Sequence, residues 1–223
     1  MSDAQQLCAS SFFLILTFPS LPPPPPLSPP QITGPNGCGK TSLFRVIAGL
    51  WSPAEGAATT ASGCSVMMLP QTSYLANGGT LLDQIIYPLM STDAAVAKDR
   101  AATEARALRC LADVKLARLA EGSDGLGRTH AEWDDVLSGG ERQRIGFARV
   151  FFHAPDLVLL DEATSAINTD MEQALYARLV RGEREDGEGG ATIISIAHRL
   201  ELQKFHERTL KIKGDGSGVW ELN

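Results

Sequence analysis

The sequence predicts an α/β fold, a sheet core joined to a helical part, and three observations predict it. Short apolar runs read as buried strands: Val66-Met67-Met68-Leu69, Leu157-Val158-Leu159-Leu160, and Ala191 to Ala197 with Thr192, Ile193, Ile194 and Ile196. Long stretches of helix formers lie between them, above all Asp93 to Leu119, which contains neither Gly nor Pro. A Gly-rich turn, Gly34 to Gly39, leads straight into an apolar stretch, Thr41 to Leu50, as a strand–loop–helix junction does.

The remaining elements follow in order. Pro70 stops the Val66–Leu69 strand, and Gly122, Gly125 and Gly127 break the helical region before them. Ser138 to Phe152 reads as a helix, with Ser138 as N-cap and Glu141 three residues later completing a capping box. The C-terminal residues read as a hairpin: Thr209 to Lys213, the turn Gly214-Asp215-Gly216-Ser217-Gly218, then Val219 to Leu222.

Composition narrows the class. The chain has 223 residues, of which 43% are hydrophobic and 21% charged, an ordinary globular mixture. A formal net charge of -6 argues against a nucleic-acid partner, which selects a basic face. Four cysteines, Cys8, Cys38, Cys64 and Cys110, form no C-x-x-C pair and read as free thiols. No apolar run reaches the roughly 20 residues of a membrane-spanning helix, and the first residues lack the basic start of a secretory signal.

Residues 1–31 differ from the rest. Pro22 to Pro26, then Pro29 and Pro30, remove backbone donors, so polyproline II or disorder is expected and a linker is favoured over a docking tract. From Ser11 to Pro30 every residue except Ile15 and Thr17 is Ser, Phe, Leu or Pro. All four types have codons that begin with two pyrimidines, and Gln31 is readable from CAG. The segment is therefore expected to be a translated pyrimidine tract ahead of an exon, with the folded domain running over 32–223.

Three motifs carry chemistry. Gly34-Pro35-Asn36-Gly37-Cys38-Gly39-Lys40-Thr41 matches the phosphate-loop pattern G-x-x-x-x-G-K-[ST] in full. Its backbone N–H groups must converge on phosphate oxygens, and the helix that starts with Lys40, Thr41 and Ser42 adds its positive end. Lys40 reaches the β- and γ-phosphates, and the Thr41 hydroxyl suits Mg²⁺. Leu157 to Asp161 is an apolar strand that delivers Asp161 toward a metal and Glu162 toward an attacking water. Leu137-Ser138-Gly139-Gly140-Glu141 opens a helix with two glycines, leaving Ser138, Gly139 and Gly140 open to an anion. The chain already has one phosphate loop, so this second terminus is expected to address the nucleotide of another subunit. Gln71, after the Met67-Met68-Leu69 run, is a candidate sensor of Mg²⁺ and the γ-phosphate, and His198, after Ile193 to Ala197, a candidate donor to that phosphate.

Together these residues resemble the nucleotide-binding domain of ABC transporters, over about Ile32 to the C-terminus. The family pattern places a Walker A at Gly34–Thr41, a Q-loop at Gln71, and its defining LSGGE at Leu137–Glu141. It continues with a Walker B at Leu157–Asp161, the catalytic Glu162, a D-loop at Ser165-Ala166-Ile167-Asn168, and a switch His198. Asn168 stands where many members carry Asp, which bears on cross-talk between the two sites. The resemblance implies a P-loop NTPase with a RecA-like sheet core, a helical subdomain at about 83–153, and an incomplete N-terminal antiparallel β part. It also implies ATP and Mg²⁺, hydrolysis, a second ABC ATPase domain, and a transmembrane domain that this chain lacks.

Finer features are similar to subfamily D. They are Ile32-Thr33 ahead of the loop, Leu69-Pro70-Gln71, Gly79-Thr80-Leu81-Leu82-Asp83-Gln84-Ile85-Ile86-Tyr87-Pro88, Lys204-Phe205-His206, and Val219-Trp220-Glu221-Leu222. That likeness implies half-transporters on the cytosolic face of peroxisomal or related organelle membranes, with fatty acyl-CoA or cobalamin as cargo. Bacterial relatives of the same fused architecture share these motifs. Two alternatives stay open: a soluble ABC ATPase working away from membranes, and a fragment that binds ATP without turnover. One departure is plain: members carry strands upstream of Walker A with an aromatic that stacks on adenine, and Phe18 in the Pro-rich stretch is no credible substitute.

Overall fold

The computed structural model describes residues 15–17, 30–53, 57–60, 63–181, 190–197, 199–215 and 219–223. In chain order the elements are β1 (Ile15–Thr17), β2 (Pro30–Thr33), α1 (Lys40–Ile47), β3 (Ala57–Thr59), β4 (Val66–Leu69), α2 (Leu81–Ile86), α3 (Ala94–Lys98) and α4 (Arg100–Asp113). They continue with α5 (Trp133–Val136), α6 (Gly139–His153), β5 (Leu157–Asp161), α7 (Thr169–Arg181), β6 (Thr192–Ile196), β7 (Arg208–Ile212) and β8 (Trp220–Leu222). The chain divides into two compact units: 1–68 with 156–161 and 192–223, and 69–155 with 162–191. The second is wider than the helical subdomain expected at 83–153.

The first unit is built on a six-stranded sheet in the order β4-β5-β6-β2-β7-β8. β5, β6, β2 and β7 run parallel, and β8 closes the edge antiparallel to β7. β5 is buried at every position, as a strand covered on both faces must be. Phe44 and Ile47 of α1 pack with Ile32, Leu157, Leu159, Ile194 and Ile196 in one core. Each such side chain contributes about 1.5–3 kcal/mol of burial, so α1 is held by its apolar face more than by helix propensity. Gly49, at φ 73, stops α1 after Ala48. The helix therefore ends short of the expected Leu50.

Two expectations about the N-terminal segment change. The domain start at Ile32 falls inside a strand, because β2 begins at Pro30 and Gln31 pairs with Ser195 and Thr209. Proline is tolerated at the first strand residue, where no ladder donor is required of it. Gln31 is buried and its Nε2 donates to the Ala197 carbonyl at 3.2 Å. Within the expected disordered tract, Ile15–Thr17 pairs antiparallel with Ala57–Thr59. Pro22 to Pro26 and Phe18 lie outside the described residues.

The second unit is helical, with α6 packed against α2 and α4. The helical region expected over Asp93–Leu119 divides at Asp99, whose φ of -134° and ψ of 55° separate α3 from α4, and α4 ends at Asp113, ahead of Lys115 at φ 57°. Asp competes with the backbone for hydrogen bonds and is a poor interior residue. α2, α5 and α7 are additional to the expected elements. Thr80 caps α2 in a reciprocal box with Asp83. Trp133 is fully buried and its Nε1 donates to the Gly79 carbonyl at 2.8 Å. Arg149 is buried, donates to the Gln84 carbonyl and lies over the Tyr87 ring at 5.3 Å. Burial pulls its guanidinium down to about 10. Among the described residues no helix is long and apolar enough to cross a membrane.

Candidate functional site

In the first unit, the loop between β2 and α1 follows from its glycines. Gly34, Gly37 and Gly39 have φ of 153°, 77° and 97°, conformations that cost most residues steric strain. Gly34 is bound by space as well, since a Cβ there would lie 2.7 Å from the Ile212 carbonyl oxygen and 2.9 Å from Cys38 Sγ. Gly214, at φ 70°, backs the loop from the β7 side, and a Cβ on it would lie 2.4 Å from Pro35 Cγ. Pro35, Asn36, Gly37 and Gly39 are exposed, so the rim of the loop is open to a ligand. Lys40 is buried and its Nζ donates to the carbonyls of Gly34 and Pro35, both at 2.9 Å. Thr41 is half-buried and Ser42 exposed in the first turn of α1. Gly39 at the N-cap makes no side-chain cap, which leaves this positive helix end to backbone chemistry.

Asp161 ends β5, in register with Ile196 at the carboxyl end of the parallel strands. Ligands of open α/β sheets gather at that end. Glu162 follows at φ 50°, one of three non-Gly residues described with positive φ. Such a conformation costs of order 1–3 kcal/mol and collects at functional positions.

In the second unit, Gln71 Nε2 donates to Glu162 Oε2 at 3.2 Å, joining two of the expected site residues. Ser138 caps α6 as expected: its Oγ donates to Glu141 Oε2 at 2.8 Å, and the Glu141 N–H donates back to Ser138 Oγ at 3.4 Å. Arg118 pairs with the other oxygen of Glu141. Gly140 lies against the turn after Glu162, where a Cβ would sit 2.7 Å from the Ala166 carbonyl oxygen. Asn168 Oδ1 accepts from the Met171 N–H at 2.9 Å and so caps α7. Asn and Asp serve equally as N-caps, which accounts for Asn168 at that position. His198 lies outside the described residues.

Gln143 is absent from the sequence-derived site and central to this geometry. It is 4% exposed. Its Nε2 donates to the Gln71 carbonyl at 3.0 Å and to Ser165 Oγ at 2.9 Å, and its Oε1 accepts from the Ala166 N–H at 2.9 Å. The signal was available: Gln143 shares an i, i+3, i+4, i+7 stripe of buried positions with Gly146, Phe147 and Val150. An amide on such a stripe must find partners.

The parallel sheet and the loop ahead of α1 define a P-loop nucleotide-binding domain. Residues 30–165 match the family model described as ABC transporter. The chain belongs to the ABC transporter family, as its ATP-binding domain. It is 41% identical over 197 residues to the human lysosomal cobalamin transporter ABCD4, covering 86% of this chain and 30% of that protein. It is 38% identical over 186 residues to ATP-binding cassette sub-family D member 3 of Mus musculus, covering 83% and 26%. ABC transporter D family member 1 of Arabidopsis thaliana is 40% identical over 197 residues, covering 86% and 14%. The chain therefore spans a third or less of the curated relatives named here. In fold it is similar to a bacterial Atm1-family ABC exporter with ATP bound, at a TM-score of 0.68 and 24% identity, covering 93% of this chain and 38% of that one.

Proposed function

We propose that this domain binds and hydrolyses Mg·ATP and drives a subfamily D-type half-transporter. The observation that carries the reading is the loop: positive-φ glycines, a Gly34 site closed to any Cβ, and a buried Lys40 at the start of α1. This cradle fits a polyphosphate, because backbone donors and a helix N-terminus bind anions without side-chain bulk. The oxygen donors of Thr41 and Asp161 in the first unit fit Mg²⁺, a hard cation that would neutralise the phosphate charge there, and the family resemblance assigns Gln71 to the same ion.

The reaction is ATP + H₂O to ADP + phosphate, with water attacking the γ-phosphorus in line. Glu162 orients the water and accepts its proton. Gln71, hydrogen-bonded to Glu162, holds that carboxylate in place. Lys40 opposes the charge that develops on the γ-phosphate, and the sequence assigns the same role to His198. Ser138, Gly139 and Gly140 complete the nucleotide site of a partner ATPase domain, so ATP closes the pair and hydrolysis releases it. Differential affinity for open and closed pairs is the work available to a membrane domain.

The membrane partner is a transmembrane domain, and the setting is the cytosolic face of a lysosomal or peroxisomal membrane. The cobalamin named for the human relative is one cargo this reading admits, and fatty acyl-CoA is the other. Cargo choice rests with the membrane-spanning part. The test is nucleotide association with the purified chain. Saturable Mg·ATP binding below millimolar nucleotide, with phosphate release that EDTA abolishes, is expected. A flat titration at millimolar ATP overturns the reading.

Cys38 offers a separate check. It is half-buried in the loop, and its Sγ would meet any Cβ on Gly34. Alkylation with N-ethylmaleimide should block ATP binding, and ATP should protect the thiol. Cys110 is a built-in control, since burial pushes it up to about 11 and leaves it a thiol at pH 7.5. Cys38→Ser should bind ATP and ignore the reagent. Unchanged binding after full modification of Cys38 counts against the loop's role.

A further inference from the structure

We infer that Gln143 is a positioning residue that locks the Gln71 loop, the turn after Glu162 and the start of α6 into one body, and so sets the turnover step. The inference rests on the ATPase reading above. Three segments expected to face nucleotide meet at this one amide. Its nitrogen holds the Gln71 backbone carbonyl and the Ser165 hydroxyl, and its oxygen holds the Ala166 N–H.

An amide suits this junction because it both donates and accepts at one end. A carboxylate offers no donor to Gln71, and an aliphatic side chain offers neither function. The Gln143 side chain is buried, and its part-buried bonds reach outward to Gln71, Ser165 and Ala166 at the surface, so its loss unties the junction from the inside.

Packing at the neighbouring turns of α6 supports a rigid junction. A Cβ on Gly140 would lie 2.7 Å from the Ala166 carbonyl oxygen. A Cβ on Gly146 would lie 2.4 Å from Ser73 Oγ and 3.3 Å from Leu69 Cδ2. Both glycines bring the α6 backbone close to the segments that Gln143 ties, one turn on either side of it. Gln71 in turn donates to Glu162 at 3.2 Å. A displacement at Gln143 therefore reaches the carboxylate proposed to orient water, while Lys40 and the phosphate loop make no described bond with it.

The consequence is a split between binding and turnover. Gln143→Leu should lower kcat by about ten- to a hundredfold and leave KM for ATP within about twofold. Gln143→Glu, which keeps an acceptor for the Ala166 N–H and offers no donor to the Gln71 carbonyl, should show the same split.

The experiment combines ATPase kinetics with hydrogen exchange on the full chain without nucleotide. In Gln143→Leu, exchange at Ala166 should rise about tenfold, with faster exchange around Gln71 to Ser73 and an unchanged α1. Exchange reports on the junction even if the chain proves inactive, so failure of the ATPase reading stays distinct from failure of this one. Unchanged exchange at Ala166 overturns the inference. So does a rise in KM that matches the loss in kcat. A variant that fails to fold is replaced by Gln143→Asn, which shortens the amide by one methylene and should show the same split.

Discussion

Replacing Glu162 by Gln should slow phosphate release by about a thousandfold while ATP binding persists. General-base catalysis is worth roughly 10²–10⁴ in rate, and the amide cannot accept the water's proton. The substitution is nearly isosteric, and its side-chain oxygen can still accept from Gln71, which now donates to Glu162 Oε2 at 3.2 Å. The backbone at φ 50° makes the same demand of either residue. The fold should therefore survive, and the variant should collect as ATP-bound pairs of domains. Size-exclusion chromatography with Mg·ATP and a phosphate assay read the two halves of the claim. Turnover within threefold of the unaltered chain would remove Glu162 from its assigned role. A strictly monomeric variant at saturating ATP would remove the composite site built on Ser138, Gly139 and Gly140.

Lys40→Ala should weaken ATP binding by about 10- to 100-fold. A hydrogen bond to a charged group contributes about 1.5–3 kcal/mol, and tenfold corresponds to about 1.4 kcal/mol. The ammonium is already held within the loop by the Gly34 and Pro35 carbonyls, so little side-chain ordering remains to be lost when phosphate arrives. The effect on folding should be small by comparison. Pro35 is exposed and Gly34 half-buried, so water can reach the carbonyls the lysine leaves. Fluorescent-nucleotide titration and a thermal melt separate the two effects. An ATP affinity within twofold of the original would exclude Lys40 as a phosphate ligand.

Much of the site was legible before the fold. The phosphate loop, the Leu157–Asp161 strand and the capped helix at Ser138 are local devices, in which side-chain type and spacing decide the backbone within a few residues. They appear as α1 from Lys40, β5 through Asp161, and α6 with its Ser138–Glu141 box. Less was legible where a residue's role depends on what lies across a gap in sequence. Pro30 and Gln31 read as the end of a linker, yet they pair with Arg208, Thr209 and Ser195. The helical run after Asp93 divides at Asp99 and stops at Asp113, and Asp is too weak a breaker to be read from composition.

By itself the sequence determined the local devices, a phosphate-loop pattern, an apolar strand ending in two acids and a capped helix, and that they belong to an α/β sheet protein. Tertiary structure alone decided what braces these devices within each unit. The β7–β8 hairpin backs the phosphate loop through Ile212 against Gly34 and Gly214 against Pro35, 178 and 179 positions further along the chain. Gln143 binds Gln71, Ser165 and Ala166 from 72, 22 and 23 positions away. The physical reason is range. Steric limits on φ and the charge of a helix end act over a few residues and are written in local order. A buried amide or a close backbone approach is satisfied by whatever folding brings near, and no local pattern records it.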